Sequence, residues 1–109
     1  MEFLTQTTAD GATRLTIEGE LSIYDAAEIK RHLIEGIRGA AVFELDLSHV
    51  AVMDSAGFQL LTLAKRESQE LGHVLRIVGH SPAVLEVIEF FNMVAYFGDP
   101  LVIPAGEQS

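Results

Sequence analysis

Two short stretches of mixed polar and apolar residues open the chain. Residues 2–8 and 13–18 read as strands, and in the second Leu15 and Ile17 alternate with Arg14, Thr16 and Glu18. Asp10-Gly11 between them is a tight-turn pair, so the start predicts two paired strands. A polar loop, Gly19-Glu20-Leu21-Ser22, is expected next. The period then changes. Ala26, Ile29, Leu33 and Ile37 recur at helical spacing, with Glu28, Lys30, Arg31 and Glu35 on the opposite side. Asp25, three residues before Glu28, matches a capping box. Gly36 and Gly39 suit the end of this helix.

Val42, Phe43, Leu45 and Leu47 make the strand over 42–47 apolar enough to be central in a sheet. A helix over 56–71 follows, and Gly72 suits its C-terminal cap. Residues 74–78 read as another strand. Ser81-Pro82 is a helix start, with the hydroxyl as cap and proline in the first turn. The helix carries Val84, Leu85, Val87, Ile88 and Phe91 and is expected to end near Asn92. Residues 94–97 suit a last edge strand, and residues 104–109 a frayed tail. The order ββαβαβα, with a possible final β, implies parallel pairing through right-handed crossovers. The expected fold is α/β: a small mixed β-sheet, mostly parallel in its core, flanked by α-helices, in one domain over 1–103.

Composition narrows the function. At 109 residues and 49% apolar, the chain can bury a core as a single domain. Its apolar runs fall far short of the roughly 20 residues of a membrane span. The first residues enter a strand pattern rather than a signal peptide. The absence of cysteine removes disulfides and thiolate metal sites and fits a reducing cytoplasm. A net charge of −9 argues against direct nucleic-acid binding.

The chemistry concentrates at Met53-Asp54-Ser55-Ala56-Gly57, where the central strand gives way to a helix. Ligands and partners of open α/β sheets meet this carboxyl edge. Three roles fit Ser55. It could cap the helix, a duty that Asp54 could equally perform. It could be a nucleophile, but the glycine of a nucleophile elbow is missing at Met53 and no activating base is evident among His32, His49, His73 and His80. It could also be phosphorylated, which places about two negative charges beside Asp54 and changes docking without refolding the domain. On a helical projection Gly57, Leu61, Ala64, Ser68 and Leu71 form the core stripe. Ser55, Gln59, Thr62 and Arg66 project away from it with Leu63, as a candidate partner face, and Ala56 and Gly57 keep the approach uncluttered. No metal-ligand spacing or phosphate-cradling glycine loop is present, so no metal or cofactor is expected.

Four segments, taken in order, resemble the STAS domain family, in particular the bacterial anti-sigma-factor antagonists. They are Gly19-Glu20-Leu21, Leu45-Asp46-Leu47-Ser48, Met53-Asp54-Ser55-Ala56-Gly57-Phe58 with Leu61, and Leu75-Arg76-Ile77-Val78-Gly79 leading to Ser81-Pro82-Ala83-Val84. The resemblance implies a non-enzymatic module that binds an anti-sigma factor with serine kinase activity. It implies phosphorylation at Ser55, reversal by a phosphatase, and ATP as the kinase's substrate. Two positions depart from the antagonists: Ser22 stands where they usually carry an acid, with Asp25 nearby as a substitute, and Ala56 stands where many have a second small hydroxyl. Ser22 and Asp25 would border the Ser55 surface. The run Ser22-Ile23-Tyr24-Asp25-Ala26-Ala27 also looks like stand-alone STAS proteins of chemotaxis and signalling clusters. Other STAS domains are constitutive small subunits of transporter ATPases.

Overall fold

The computed structural model describes residues 1–90. Their elements are β1 (Glu2–Thr7), β2 (Thr13–Leu21), a 3-10 turn (Ile23–Asp25), α1 (Ala26–Gly39), β3 (Val42–Met53), α2 (Ser55–Leu71), β4 (Val74–His80) and α3 (Pro82–Phe90). The expected helix end near Asn92, the strand over 94–97 and the tail over 104–109 lie outside the described residues. The four strands form one sheet in the order β1-β2-β3-β4. β1 and β2 are antiparallel; β2, β3 and β4 run parallel. The fold is therefore the expected α/β arrangement of a mixed, mostly parallel sheet with helices.

Alternation along the strands selects the core. Leu15 and Ile17 of β2, Phe43, Leu45 and Leu47 of β3, and Leu75 and Ile77 of β4 are all buried. They pack in one cluster with Ile29, Leu33 and Ile37 of α1, Leu61 and Ala64 of α2, and Val84 and Ile88 of α3. Each of these side chains except that of Ala64 contributes about 1.5–3 kcal/mol of transfer free energy. The intervening strand positions carry the polar residues. Arg14, Glu44 and Arg76 lie directly across from one another on β2, β3 and β4. The Glu44 carboxylate, nearly buried, accepts from Arg14 Nε at 3.0 Å and Nη2 at 2.9 Å, with Arg76 3.8 Å away.

Several boundaries differ from the sequence expectation. β2 continues through Gly19-Glu20 to Leu21, and β3 continues through Ser48-His49 to Met53; these extensions pair with each other, Leu21 opposite Met53. Register shifts between Thr16 and Glu18 and between Gly19 and Glu20 break the alternation that would have revealed them. Gly19 at φ 121° supplies a backbone conformation other residues avoid. The capping box at Asp25 does not form. A 3-10 turn precedes α1, and the Asp25 side chain makes no cap hydrogen bond. Leu71, expected in the core, is 43% exposed because α2 ends there, at Gly72 in the left-handed conformation. Ser81 does cap α3, accepting from the Val84 amide at 3.2 Å.

Among the described residues no helix is long and apolar enough to cross a membrane.

Candidate functional site

The paired ends of β2 and β3 build the site. The Asp54 amide donates to the Leu21 carbonyl at 3.3 Å, so the chain turns into α2 directly beyond the sheet. Asp54 has extended backbone and is the N-cap of α2. Its Oδ1 accepts from the Gly57 amide at 2.9 Å and its Oδ2 from the Ile23 amide at 3.1 Å. One carboxylate thus caps a helix and ties down the 3-10 turn. The Gly57 amide is the main reason its carboxyl sits below the usual range; partial burial opposes this, and the Ile23 and Ala56 amides add to it.

Gly57 is buried where α2 crosses the end of β2. A Cβ there would lie 2.2 Å from the Leu21 carbonyl oxygen. The glycine therefore permits close contact within the fold, rather than the approach of another protein that its small size suggests in sequence.

Ser55 is the first residue of α2 and is exposed. Because Asp54 is the cap, the Ser55 hydroxyl has no capping duty, and it makes no hydrogen bond within the described residues. Beside it, Asp54, Ser55, Glu86, Val87 and Phe90 line a cleft of about 420 Å³ between the start of α2 and α3. The α3 residues of this cleft were not legible in sequence, because only the parallel crossover through β4 brings α3 back beside α2.

The other expected contact residues divide. Gln59 and Arg66 are exposed on α2, Ala56, Thr62 and Leu63 are half-buried, and the Thr62 hydroxyl donates to the Phe58 carbonyl at 3.2 Å. Ser22, expected to border the surface, is 3% exposed. Its hydroxyl accepts from the Tyr24 amide at 3.3 Å, so it shapes the 3-10 turn from within. Asp25 is half-buried at the end of that turn. The turn presents two side chains that sequence reading passed over: Ile23 is 65% and Tyr24 89% exposed. Their apolar character in a short polar-looking loop was the available signal.

His49 does not reach for Ser55. Its Nδ1 lies 3.2 Å from the Ser48 hydroxyl, which donates to Asp46 at 2.7 Å. Among the described residues no group of three or more His, Asp or Glu side chains is placed to hold a metal ion.

Comparison with known proteins agrees with this architecture. No curated protein matches the sequence. Solved structures match the fold at low identity. A putative anti-sigma factor antagonist from Thermotoga maritima superposes with a TM-score of 0.79 at 19% identity, covering 97% of this chain and 92% of the other. An anti-sigma factor antagonist from Mycobacterium paratuberculosis gives 0.78 at 18% identity, covering 98% and 89%. The Bacillus cell fate determinant SpoIIAA in its phosphorylated form gives 0.67 at 19% identity, covering 98% of each chain. The family model described as "Mlab, STAS domain" matches residues 4–102. With that match spanning nearly the whole chain, the protein belongs to the STAS domain family.

Proposed function

We propose that this chain is a non-enzymatic, cytoplasmic protein-binding switch, read at Ser55 and built like an anti-sigma-factor antagonist. The carrying observation is the division of labour at the start of α2. Asp54 caps the helix through the Gly57 amide, and Ser55 stands exposed beside it with nothing to hold. Modification of Ser55 therefore leaves the fold's own bonds in place. The resemblance to a neighbour known in a phosphorylated form supports the same reading.

The partner is an anti-sigma factor with serine kinase activity, and a phosphatase resets the switch. In the forward step the Ser55 Oγ–phosphorus bond forms as the bond between the γ-phosphorus and the departing ADP breaks. The hydroxyl proton leaves to a base of the kinase. The new dianion stands at a helix N-terminus, where the macrodipole tolerates it. The Gly57 amide is already engaged by Asp54, so the phosphate projects toward the partner rather than settling into the helix end.

A constitutive binding subunit, of a signalling cluster or a transporter ATPase, is the second reading. Ser22 favours it, since this buried hydroxyl stands where antagonists usually present an acid.

Intact-mass and peptide mass spectrometry on protein from its native cells, with and without phosphatase, separates the two. The switch requires a phosphatase-sensitive mass gain on Ser55; its absence across growth conditions favours the constitutive subunit. Ser55→Asp is expected to abolish partner binding while changing stability by less than about 0.5 kcal/mol, because it is an exposed substitution that breaks no hydrogen bond and leaves the Asp54 cap in place. Ser55→Ala should bind and resist phosphorylation. A large loss of stability in Ser55→Asp would return the serine to a structural role.

A further inference from the structure

The exposed apolar side chains Ile23, Tyr24 and Val52 gather at the carboxyl end of the sheet. Glu20 pairs with Val52 and Leu21 with Met53, and the Ile23 amide is bonded to Asp54, so the 3-10 turn and the end of β3 flank Ser55 from two sides. Val87 and Phe90 of the cleft border it from the third. Tyr24, at 89% exposure, contributes almost nothing to the core, and Ile23 and Val52 are 65% and 47% exposed. A large aromatic held on a turn whose Tyr24 and Ile23 amides donate to the Ser22 hydroxyl and the Asp54 carboxylate has the form of an interface anchor.

The charges say what kind of surface covers it. Residues 15–29 and 39–64 contain no Lys or Arg, and none follows Arg76 in the whole sequence. Those segments supply the carboxyl ends of β2, β3 and β4, the first turn of α1, and the starts of α2 and α3. Glu20, Asp25, Glu28, Asp54 and Glu86 occupy this end. The seven basic residues lie on the bodies of α1 and α2, at the start of β2 and within β4.

We propose that this pole is a docking surface for a protein face rich in Lys and Arg, with Tyr24 as the anchoring side chain. The proposal rests on the binding-module reading and specifies its partner's chemistry. Acids at the rim steer a basic partner and set the association rate. The apolar side chains around Ser55 supply the contact that water leaves. A phosphate on Ser55 then sits within that contact and must lose its hydration there, so a rim that attracts cations is compatible with a modification that opposes docking.

The test uses two probes on the full chain labelled with nitrogen-15. One is a peptide of eight arginines; the other is an amphipathic basic helix peptide of leucine and arginine. Both should shift the amides of residues 20–25 and 52–57 at low salt, and an eight-glutamate peptide should not. Shifts spread over the surface, or centred on the end of α2, would overturn the proposal. Tyr24→Ser should keep the melting temperature, weaken the leucine-containing peptide by at least about tenfold, and leave the arginine peptide unchanged. Equal binding of both peptides by variant and parent would remove Tyr24 as the anchor. The two readings fail separately: a Ser55 never phosphorylated ends the switch and leaves this surface, whereas a pole that ignores both basic probes ends the surface and leaves the phosphorylation.

Discussion

The decisive residue-scale feature is the contact between Gly57 and the Leu21 carbonyl. Gly57 was legible as a small residue beside Ser55, but not as the point where α2 meets the end of β2, because that contact joins residues 36 positions apart through the β2–β3 crossover. With a Cβ only 2.2 Å from a backbone oxygen, no side-chain rotation relieves the clash. Gly57→Ala must therefore move the start of α2, at the expense of the bonds Asp54 makes to Gly57 and Ile23. Overpacking of this kind costs about 1–3 kcal/mol. For a domain of this size that lowers the melting temperature by roughly 4–8 °C per kcal/mol. Thermal melting followed by circular dichroism checks it; an unchanged midpoint would mean that the helix slides without loss. The identity of the cap was open in sequence for a related reason. Asp54 and Ser55 are both good caps, and the choice falls to Asp54 because it has two oxygens and two amides to satisfy, Gly57 on the helix and Ile23 on the turn.

Among the elements, helices were easier to read than strands. The apolar spacing of α1 and the capping pair Ser81-Pro82 of α3 are local signals that tertiary contacts did not override. The far halves of β2 and β3 carry no such signal. Gly19-Glu20 and Ser48-His49 look like loops, and only their mutual pairing makes them strand. α2 shows how a correct stripe can hide a different physics. Ser68 falls on the core side as its spacing predicts, and it is 1% exposed. It is there for a polar reason: its hydroxyl donates to the His73 carbonyl at 2.9 Å, and its own carbonyl accepts from the His73 amide at 2.9 Å. The His73 ring in turn meets the Ile37 carbonyl at 2.8 Å, joining the α2–β4 turn to the end of α1. Ser68→Ala leaves the His73 carbonyl without this donor and should cost about 1–2 kcal/mol. Urea unfolding should show a lower midpoint with an unchanged slope. A Ser68→Ala protein as stable as the parent would show that the turn is held by its backbone bonds alone.

For the whole molecule, two electrostatic effects act in opposite directions as pH falls. The net charge of −9 makes the folded chain repel itself at neutral pH, and protonating exposed carboxylates relieves that repulsion. Against this stand Asp10, Asp46 and Asp54, whose carboxyls are all held below their ordinary value. The Thr8 hydroxyl does this for Asp10. Burial raises Asp46, but the Ser48 hydroxyl and amide outweigh it. The Gly57 amide leads for Asp54. A carboxylate depressed in the folded state binds protons less readily than in the unfolded chain. Its contribution is fully present above the unfolded value of 3.8 and is lost as pH falls through the lower folded values. Relief of repulsion therefore dominates first, and loss of these bonds dominates later. The melting temperature at fixed ionic strength should hold or rise slightly from about pH 8 to about pH 5, then fall steeply below about pH 4. Added salt at pH 8 should raise it, since screening weakens the repulsion among exposed charges. Because Asp54 is one of the three, the acid limb should also loosen the turn that carries Ile23 and Tyr24, visible as a lower protection factor at the Ile23 amide, its exchange rate being taken relative to the unstructured rate at the same pH, before global unfolding. Below the isoelectric point near pH 4.7 the chain is net positive and repulsion grows again, so a melting temperature that does not fall between about pH 4 and about pH 3 would mean that these carboxylate bonds contribute nothing and that the Asp54 bridge holds the turn no better than water does.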